Sequence, residues 1–195
     1  RMGGYPLAQL LHAGRWSRVY RAGATGTNCD TAYVLKTAAG DGDQAAIARD
    51  MLLREALVGR SIAHPHVVSI LASQTTYQPE YLVMPCVAGA TLREVLDTGH
   101  LIPLAHALWI TRQIADGLGA LHRHGWRHAD VKPGNIYLAT NGHATLLDLG
   151  MVQRCGQRRE RERAFLCGTM AYVAPECLIS SSWAGAPSDL YSLGV

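Results

Sequence analysis

The hydrophobic pattern of the chain changes once, near residue 86, and this change constrains the fold more than any other feature. Before it, short runs rich in Val and Tyr alternate with turn residues, as in RWSRVYRAG, TAYVLKTA, HVVSILASQTTY and EYLVMPCV. Such runs predict β-strands. One segment among them, DQAAIARDMLLREALVGRSI, carries apolar residues at helical spacing and predicts a helix. The first part should therefore form a β-rich lobe with one helix.

After residue 86 the apolar residues follow a helical period. LAHALWITRQIADGLGALHRHG predicts a long amphipathic helix, and another helix should start at Ser188. Between them, NIYLA and ATLLDL flank TNGH, which is typical of a hairpin. We therefore expect an α+β fold with two lobes, residues 1–86 and 87–195. The chain ends inside the apolar periodic stretch LYSLGV, so we expect a piece of a longer protein whose second lobe is incomplete.

The composition disfavours several classes of protein. Apolar residues make up 48% and charged residues 17% of the chain, which is the balance of a folded domain. A net charge of +3 is too small to favour nucleic acid or an anionic membrane as a partner. No apolar run approaches the roughly 20 residues of a membrane span, and no signal-peptide core is present. Five scattered cysteines favour free thiols and a cytoplasmic location, although absent parts of a longer protein could add a membrane tether.

Four polar residues in the second half suit phosphoryl transfer from a nucleotide, which needs an acceptor for the incoming hydroxyl, cations and magnesium ligands. In HADVKPGN, Asp130 can accept the hydroxyl proton, and Lys132 can hold the transferring phosphate. Asn135 in the same stretch and Asp148 in LLDLG offer the oxygen ligands that magnesium takes. This spacing predicts a catalytic site on two neighbouring loops.

Two residues in the first half complete the set. Lys36 ends the apolar strand YVLK and can hold the α- and β-phosphates, and Glu55 on the following helix can hold this lysine. Each residue alone has a simpler explanation: Lys36 and Glu55 a solvated surface pair, Asp130 a turn residue, Asp148 a cap beside Gly150. The six residues in this order outweigh those separate explanations.

These stretches resemble the motifs of the eukaryotic-type (Hanks-type) Ser/Thr protein kinase catalytic domain, and are similar to those of bacterial Ser/Thr kinases. HADVKPGN resembles the catalytic loop, DLG the metal-binding DFG motif, YVLK the VAIK strand, and GTMAYVAPE the end of the activation segment. The resemblance covers essentially the whole chain. It implies a bilobal kinase-like fold, ATP with Mg²⁺ or Mn²⁺, and protein substrates with Ser or Thr hydroxyls. It also implies that Thr169 braces Asp130 and Lys132, and that Asp189 anchors the catalytic loop.

The resemblance further implies a nucleotide pocket. Met84 stands at the gatekeeper position, and the adenine edge would meet the carbonyl of Pro85 and the N–H of Val87. Proline lacks an N–H but keeps its carbonyl, so Pro85 is compatible with this use. The remaining implied nucleotide contacts are Leu11, Gly14, Val19, Val34 and Tyr137, together with the Lys36–Glu55 pair.

The glycine-rich loop departs from the family pattern. In HAGRWSRV, His12 and Ser17 replace the first and third glycines, and Gly14 is kept. Because glycines let backbone N–H groups approach phosphates, the two side chains should crowd the loop and weaken nucleotide affinity.

The activation segment departs as well. Ala129 replaces the arginine that often precedes the catalytic aspartate and that can grip a loop phosphate. From Leu149 to Cys167 the chain contains no Ser, Thr or Tyr. The cation that would bind a loop phosphate and the hydroxyl that would carry it are therefore both missing. This predicts a kinase whose activity does not depend on activation-loop phosphorylation.

Three functions remain open. The first is an active Ser/Thr kinase. The second is a pseudokinase-like nucleotide- or partner-binding module with an eroded glycine loop, and the third is a small-molecule phosphotransferase, which GTMAYVAPE disfavours. An incomplete second lobe would make the fragment a doubtful catalyst, since Glu176 would normally pair with an arginine beyond Val195.

Overall fold

The computed structural model describes residues 1–24, 33–155, 170–179 and 185–195. It divides the chain into two compact units. The first unit comprises Arg1–Ala63 and Ser69–Val87, and the second comprises His64–Val68 and Ala88–Val195. Among the described residues, the first unit has one sheet and one helix, and the second has two small sheets and several helices. The candidate site residues are divided between the two units.

The first unit is built on a five-stranded antiparallel sheet of order β1-β2-β3-β5-β4. Its strands are β1 (Leu7–Ala13), β2 (Ser17–Ala22), β3 (Tyr33–Ala38), β4 (Ala72–Gln74) and β5 (Tyr81–Pro85). The sequence did not predict β1. The predicted strand HVVSILASQTTY was too long, because β4 covers only three of its residues and its first three residues belong to the second unit.

Helix α1 (Asp43–Ser61) covers this sheet, as its helical spacing predicted. Its buried residues Leu52 and Ala56 pack against Leu82 of β5 in one apolar cluster. A second cluster is formed by Ala22, Leu35 and Val83 of β2, β3 and β5. The helix and the sheet therefore share a continuous apolar contact that fixes the position of α1 relative to β3.

The second unit is mainly helical. Its helices are α2 (Leu92–Asp97), α3 (Leu104–Arg123), α4 (Pro175–Ile179) and α5 (Ala186–Gly194). Two small sheets accompany them: β6 (Gly89–Thr91) with β8 (Ile136–Ala139) and β9 (Ala144–Leu146), and β7 (Trp126–Arg127) with β10 (Gln153–Arg154). The α+β fold class is confirmed. The predicted hairpin is also confirmed, because β8 and β9 pair antiparallel.

Local signals explain where the helices of the second unit begin and end. The Thr91 side chain accepts a bond from the Glu94 backbone, and the Glu94 carboxylate accepts one from the Thr91 backbone. This capping box starts α2. After α3, Gly125 adopts a φ of +76°, which a residue with a Cβ rarely adopts, and it directs the chain into β7. The catalytic-loop sequence follows directly from this turn.

None of the helices among the described residues is both long and apolar enough to span a bilayer. Cys86, Cys155 and Cys177 carry free thiols.

Candidate active site

In the first unit, β3 and α1 bring a lysine and a glutamate together. Lys36 Nζ lies 2.6 Å from Glu55 Oε2. The two residues are only 8% and 1% exposed, so they are not a solvated surface pair. A buried ion pair of this kind fixes the direction of the lysine side chain, because moving either charge away would leave the other uncompensated.

The residues implied to hold adenine in the first unit lie on three adjacent strands. Val19 of β2 is paired with Lys36 of β3, and Val34 of β3 is paired with Met84 of β5. Met84 is buried, while Val19 and Val34 are half-buried. The other implied contacts of this unit, Leu11, Pro85 and Val87, are exposed to solvent.

The β1–β2 turn contains the altered glycine loop. The imidazole of His12 lies over Gly14, so that a Cβ on Gly14 would be 2.6 Å from His12 Nε2. The Gly14 N–H donates to the Ser17 carbonyl at 2.9 Å, and Arg18 Nη1 donates to the Gly14 carbonyl at 2.8 Å. Gly14 is therefore enclosed by its own loop, in keeping with the crowding predicted from His12.

In the second unit, the catalytic-loop residues form one hydrogen-bonded group. Lys132 Nζ lies 2.7 Å from Asp130 Oδ2. Asn135 Nδ2 donates to the same Oδ2 and to the Asp130 carbonyl, each at 2.8 Å. The side chain of Asp130 is 10% exposed and that of Lys132 is 28% exposed. Two donors therefore orient a largely enclosed carboxylate.

Asp148 lies two residues after β9 in a left-handed backbone conformation. Its φ is +58°, and its Oδ1 accepts a bond from the Gly150 N–H at 3.2 Å, which caps the 3-10 turn Leu149–Met151. The Leu147 N–H donates to the Asn135 carbonyl at 2.8 Å, so the Asp148 loop is tied to the catalytic loop. The structure brings Asn135 and Asp148 onto neighbouring segments, where both offer oxygen donors suited to a hard divalent cation.

Asp189 of α5 anchors the catalytic loop. Its carboxylate is 1% exposed and accepts bonds from the backbone N–H groups of His128 (2.7 Å) and Ala129 (2.9 Å). His122 Nε2 of α3 lies 2.8 Å from the same carboxylate. Burial raises the pKa of Asp189, but the His122 hydrogen bond, the charge of His128 and the two backbone donors outweigh it, so the pKa lies below its usual value.

Several residues near this site were not identified from the sequence. His122 and its neighbours His124 and His128 all bond within the protein: His124 Nδ1 lies 2.8 Å from the Ala120 carbonyl, and His128 Nε2 lies 2.9 Å from the Leu147 carbonyl. Their spacing alone gave no signal of these contacts. Glu176 accepts a bond from Ser188 Oγ at 2.7 Å, and the arginine partner expected for it stays a prediction.

The remaining predicted site residues are Tyr137 and Thr169. Tyr137 lies in β8, in the second unit, half-buried and paired with Thr91 and Thr145. Thr169, predicted to brace the catalytic loop, lies outside the described residues.

Comparison with known proteins agrees with this geometry. The family model described as Protein kinase domain matches residues 5–195. The chain belongs to the protein kinase family. The kinase domain is 32% identical over 98% of its length to CBL-interacting serine/threonine-protein kinase 16 of Arabidopsis thaliana, of which it covers 42%. It is 30% identical over its full length to human serine/threonine-protein kinase ULK3, of which it covers 41%.

Bacterial relatives are similar as well. The kinase domain is 35% identical over 73% of its length to the Bifidobacterium longum protein named probable serine/threonine-protein kinase pknA2. It covers 19% of that protein. The chain thus spans less than half the length of the curated relatives described here.

Proposed function

We propose that this kinase domain transfers the γ-phosphoryl group of ATP to Ser or Thr hydroxyls of proteins. The observation that carries the proposal is the Asp130 carboxylate, which Lys132 and Asn135 hold through Oδ2. The Ser/Thr relatives and the lysine of DVKPGN support these hydroxyls as acceptors. ATP and protein are the partners. The kinase domain acts in the cytoplasm, and its small net charge gives no reason to expect a nucleic-acid partner.

The catalytic loop supplies the reaction chemistry in this proposal. Asp130 orients the acceptor hydroxyl and takes its proton as the new P–O bond forms, while the bond from the γ-phosphorus to the β–γ bridging oxygen breaks and ADP leaves. Lys132, whose ammonium lies 2.7 Å from Asp130, places its charge beside the transferring phosphoryl group. Asp189 fixes the backbone from which Asp130 and Lys132 project, so the acceptor carboxylate is positioned before the substrate binds.

Asn135 and Asp148 hold Mg²⁺, or Mn²⁺, in this proposal. The donor set fits, because the two side-chain bonds described for Asn135 use Nδ2, and the side-chain oxygen Oδ1 can serve as a ligand. A bound divalent ion would neutralise phosphate charge during transfer.

The first unit holds the nucleotide in this proposal. Lys36, fixed by Glu55, contacts the α- and β-phosphates. The exposed apolar side chains Leu11 and Val87 are surfaces that adenine would cover together with Val19 and Val34. The Pro85 carbonyl and the Val87 N–H contact the adenine edge, and Met84 stands at the gatekeeper position. Gly14 completes the set of nucleotide contacts in this unit.

Replacing the acceptor tests the assignment. Asp130→Asn removes the acceptor and keeps the shape and the metal ligands, so turnover on a Ser/Thr peptide should fall by about 10²–10⁴-fold while ATP binding is kept. Asp116→Asn, at an exposed position on α3, is the matched control and should keep wild-type rates. Undiminished activity in Asp130→Asn would overturn the role given to this residue.

A pseudokinase-like binding module is the second candidate, and the His12 ring over Gly14 favours it. An enclosed loop presents fewer backbone N–H groups to phosphates, which lowers nucleotide affinity. Magnesium-dependent ATP binding without transfer by the wild-type protein to itself or to any Ser/Thr peptide would favour the module. Magnesium-dependent transfer would favour the kinase.

A further inference from the structure

Tyr172, in the 3-10 turn Met170–Tyr172, is held at both ends by helices of the second unit. Arg93 Nη2 of α2 donates to the Tyr172 hydroxyl at 2.8 Å. Ser192 Oγ of α5 donates to the Tyr172 carbonyl at 2.7 Å. These two bonds join residues that are 79 and 20 positions apart in the chain. The turn is therefore fixed by its tertiary partners in addition to its own local bonds.

The following residues are tied to the same helix. Ser188 Oγ of α5, in a residue that is 4% exposed, donates to Glu176 Oε1 at 2.7 Å. The neighbouring Asp189 binds the backbone of the catalytic loop. Helix α5 thus anchors both the catalytic loop and the segment 170–179. A movement of α5 that displaced one of them would also displace the other.

All of these bonds join protein groups to one another. Ala129 has no cation to offer a loop phosphate. Arg127, two residues earlier, is only 5% exposed, and its guanidinium already donates to Gln153 Oε1 at 2.5 Å and to Cys177 Sγ at 3.7 Å. The guanidinium nearest in sequence to Asp130 is therefore engaged with neutral groups of the fold, one of which belongs to the segment 170–179.

We propose that Arg93 and Ser192 are positioning residues that hold Tyr172 so that the segment 170–179 accepts a protein substrate without activation-loop phosphorylation. The inference rests on the proposed function, because it takes the substrate to be a protein that the segment 170–179 helps to bind. The Arg93 guanidinium is directed by its helix: Nη1 lies 3.5 Å from Asp97 Oδ1 one turn later. Its side chain is 48% exposed, so it can be replaced without opening the core.

Arg93→Ala and Tyr172→Phe each remove one partner of the hydroxyl contact. Each should raise the peptide KM by about threefold to tenfold, the value of one exposed charge-assisted hydrogen bond, with the KM for ATP unchanged. The double variant should show no further increase, since one interaction is lost only once. Arg93→Lys retains a cationic donor and should restore much of the wild-type peptide KM.

The matched control is Arg112→Ala, which removes an exposed arginine of α3 that stacks on Trp109. It should leave both KM values unchanged. An unchanged peptide KM in Arg93→Ala and Tyr172→Phe would overturn the proposal, and so would single effects that multiply in the double variant.

Amide hydrogen exchange provides a readout that does not require activity. The Val173 N–H donates to the Met170 carbonyl across the turn that Tyr172 closes. In Arg93→Ala and in Ser192→Ala this amide should exchange several-fold faster, whereas amides of α3 should be unaffected. If the wild-type protein transferred no phosphate, the proposed function would fail while faster exchange still supported the positioning contacts. Unchanged exchange in both variants would refute the contacts themselves.

Discussion

Replacing Asp189 by asparagine tests the anchor on which the catalytic loop depends. The carboxylate is 1% exposed. It accepts bonds from His122 and from two successive backbone N–H groups. Asparagine has the same shape but only one acceptor oxygen. Its amide group must therefore face at least one of the N–H donors, which is left buried and unsatisfied.

The expected cost follows from these contacts. Hydrogen bonds to charged groups contribute about 1.5–3 kcal/mol each, and breaking a buried ionic contact on one side costs about 3–5 kcal/mol. Because the group is almost fully buried, solvent screening does not reduce this value much. We expect Asp189→Asn to lower the free energy of unfolding by about 3–5 kcal/mol, a large share of the roughly 5–15 kcal/mol that stabilises a typical domain.

The sign of the pH dependence follows from the lowered pKa of Asp189. An unfolded aspartate titrates near about 3.9, and the native group titrates below this value. The carboxylate therefore stabilises the fold fully above about pH 4, and this contribution is lost as the pH falls through the native pKa. The difference between wild type and Asp189→Asn should be present at pH 7 and shrink only below about pH 4.

Urea unfolding followed by tryptophan fluorescence measures this difference, since the chain contains four tryptophans. Asp97→Asn is the control, because that side chain is 62% exposed and its pair with Arg93 should contribute only about 0–1 kcal/mol. If Asp189→Asn cost no more than the control at pH 7, or if its cost were the same at pH 3, the anchoring argument would be wrong.

Two further predictions concern the charged groups of the first unit and the activation segment. Glu55→Gln leaves the buried Lys36 ammonium without this carboxylate and should cost about 3–5 kcal/mol in urea unfolding; a loss within experimental error would contradict a buried pair. Treating the full-length protein with a broad Ser/Thr phosphatase, then removing the phosphatase, should leave initial rates on a peptide unchanged. A large drop traced to a phosphate between Asp148 and Glu176 would contradict this prediction.

Much of the candidate site could be predicted because its members are close in sequence. Asp130, Lys132 and Asn135 lie on one short loop, so their contacts follow from local geometry. Predicting the pairing of Lys36 with Glu55 required one further assumption, namely that the helix following the strand packs on the same sheet. In each case residue type and spacing carry the information.

Other features could not be predicted because the pattern carries no signal for them. Strand β1 has the sequence LAQLLHA, which contains no β-branched residue and no alternation of apolar and polar residues. All of its residues except Leu7 are exposed, so burial imposes no such alternation. Its strand conformation comes from pairing with β2. The bond between His122 and Asp189 joins residues 67 positions apart, and that between Arg93 and Tyr172 joins residues 79 apart. Such contacts depend on how helices pack, which hydrophobic period does not specify.

Ala129 stands where an arginine was expected, and its backbone N–H is one of the groups that bind the Asp189 carboxylate. Ala129 adopts a φ of +66°, a conformation that costs a residue with a Cβ about 1–2 kcal/mol. The bond from its N–H to Asp189, at 2.9 Å, offsets this cost, because turning the peptide to a relaxed φ would remove the N–H from a buried carboxylate. What the catalytic loop requires at this position is therefore the backbone conformation, which an alanine supplies as well as an arginine. The anchor of the loop on α5 is therefore complete with alanine at this position.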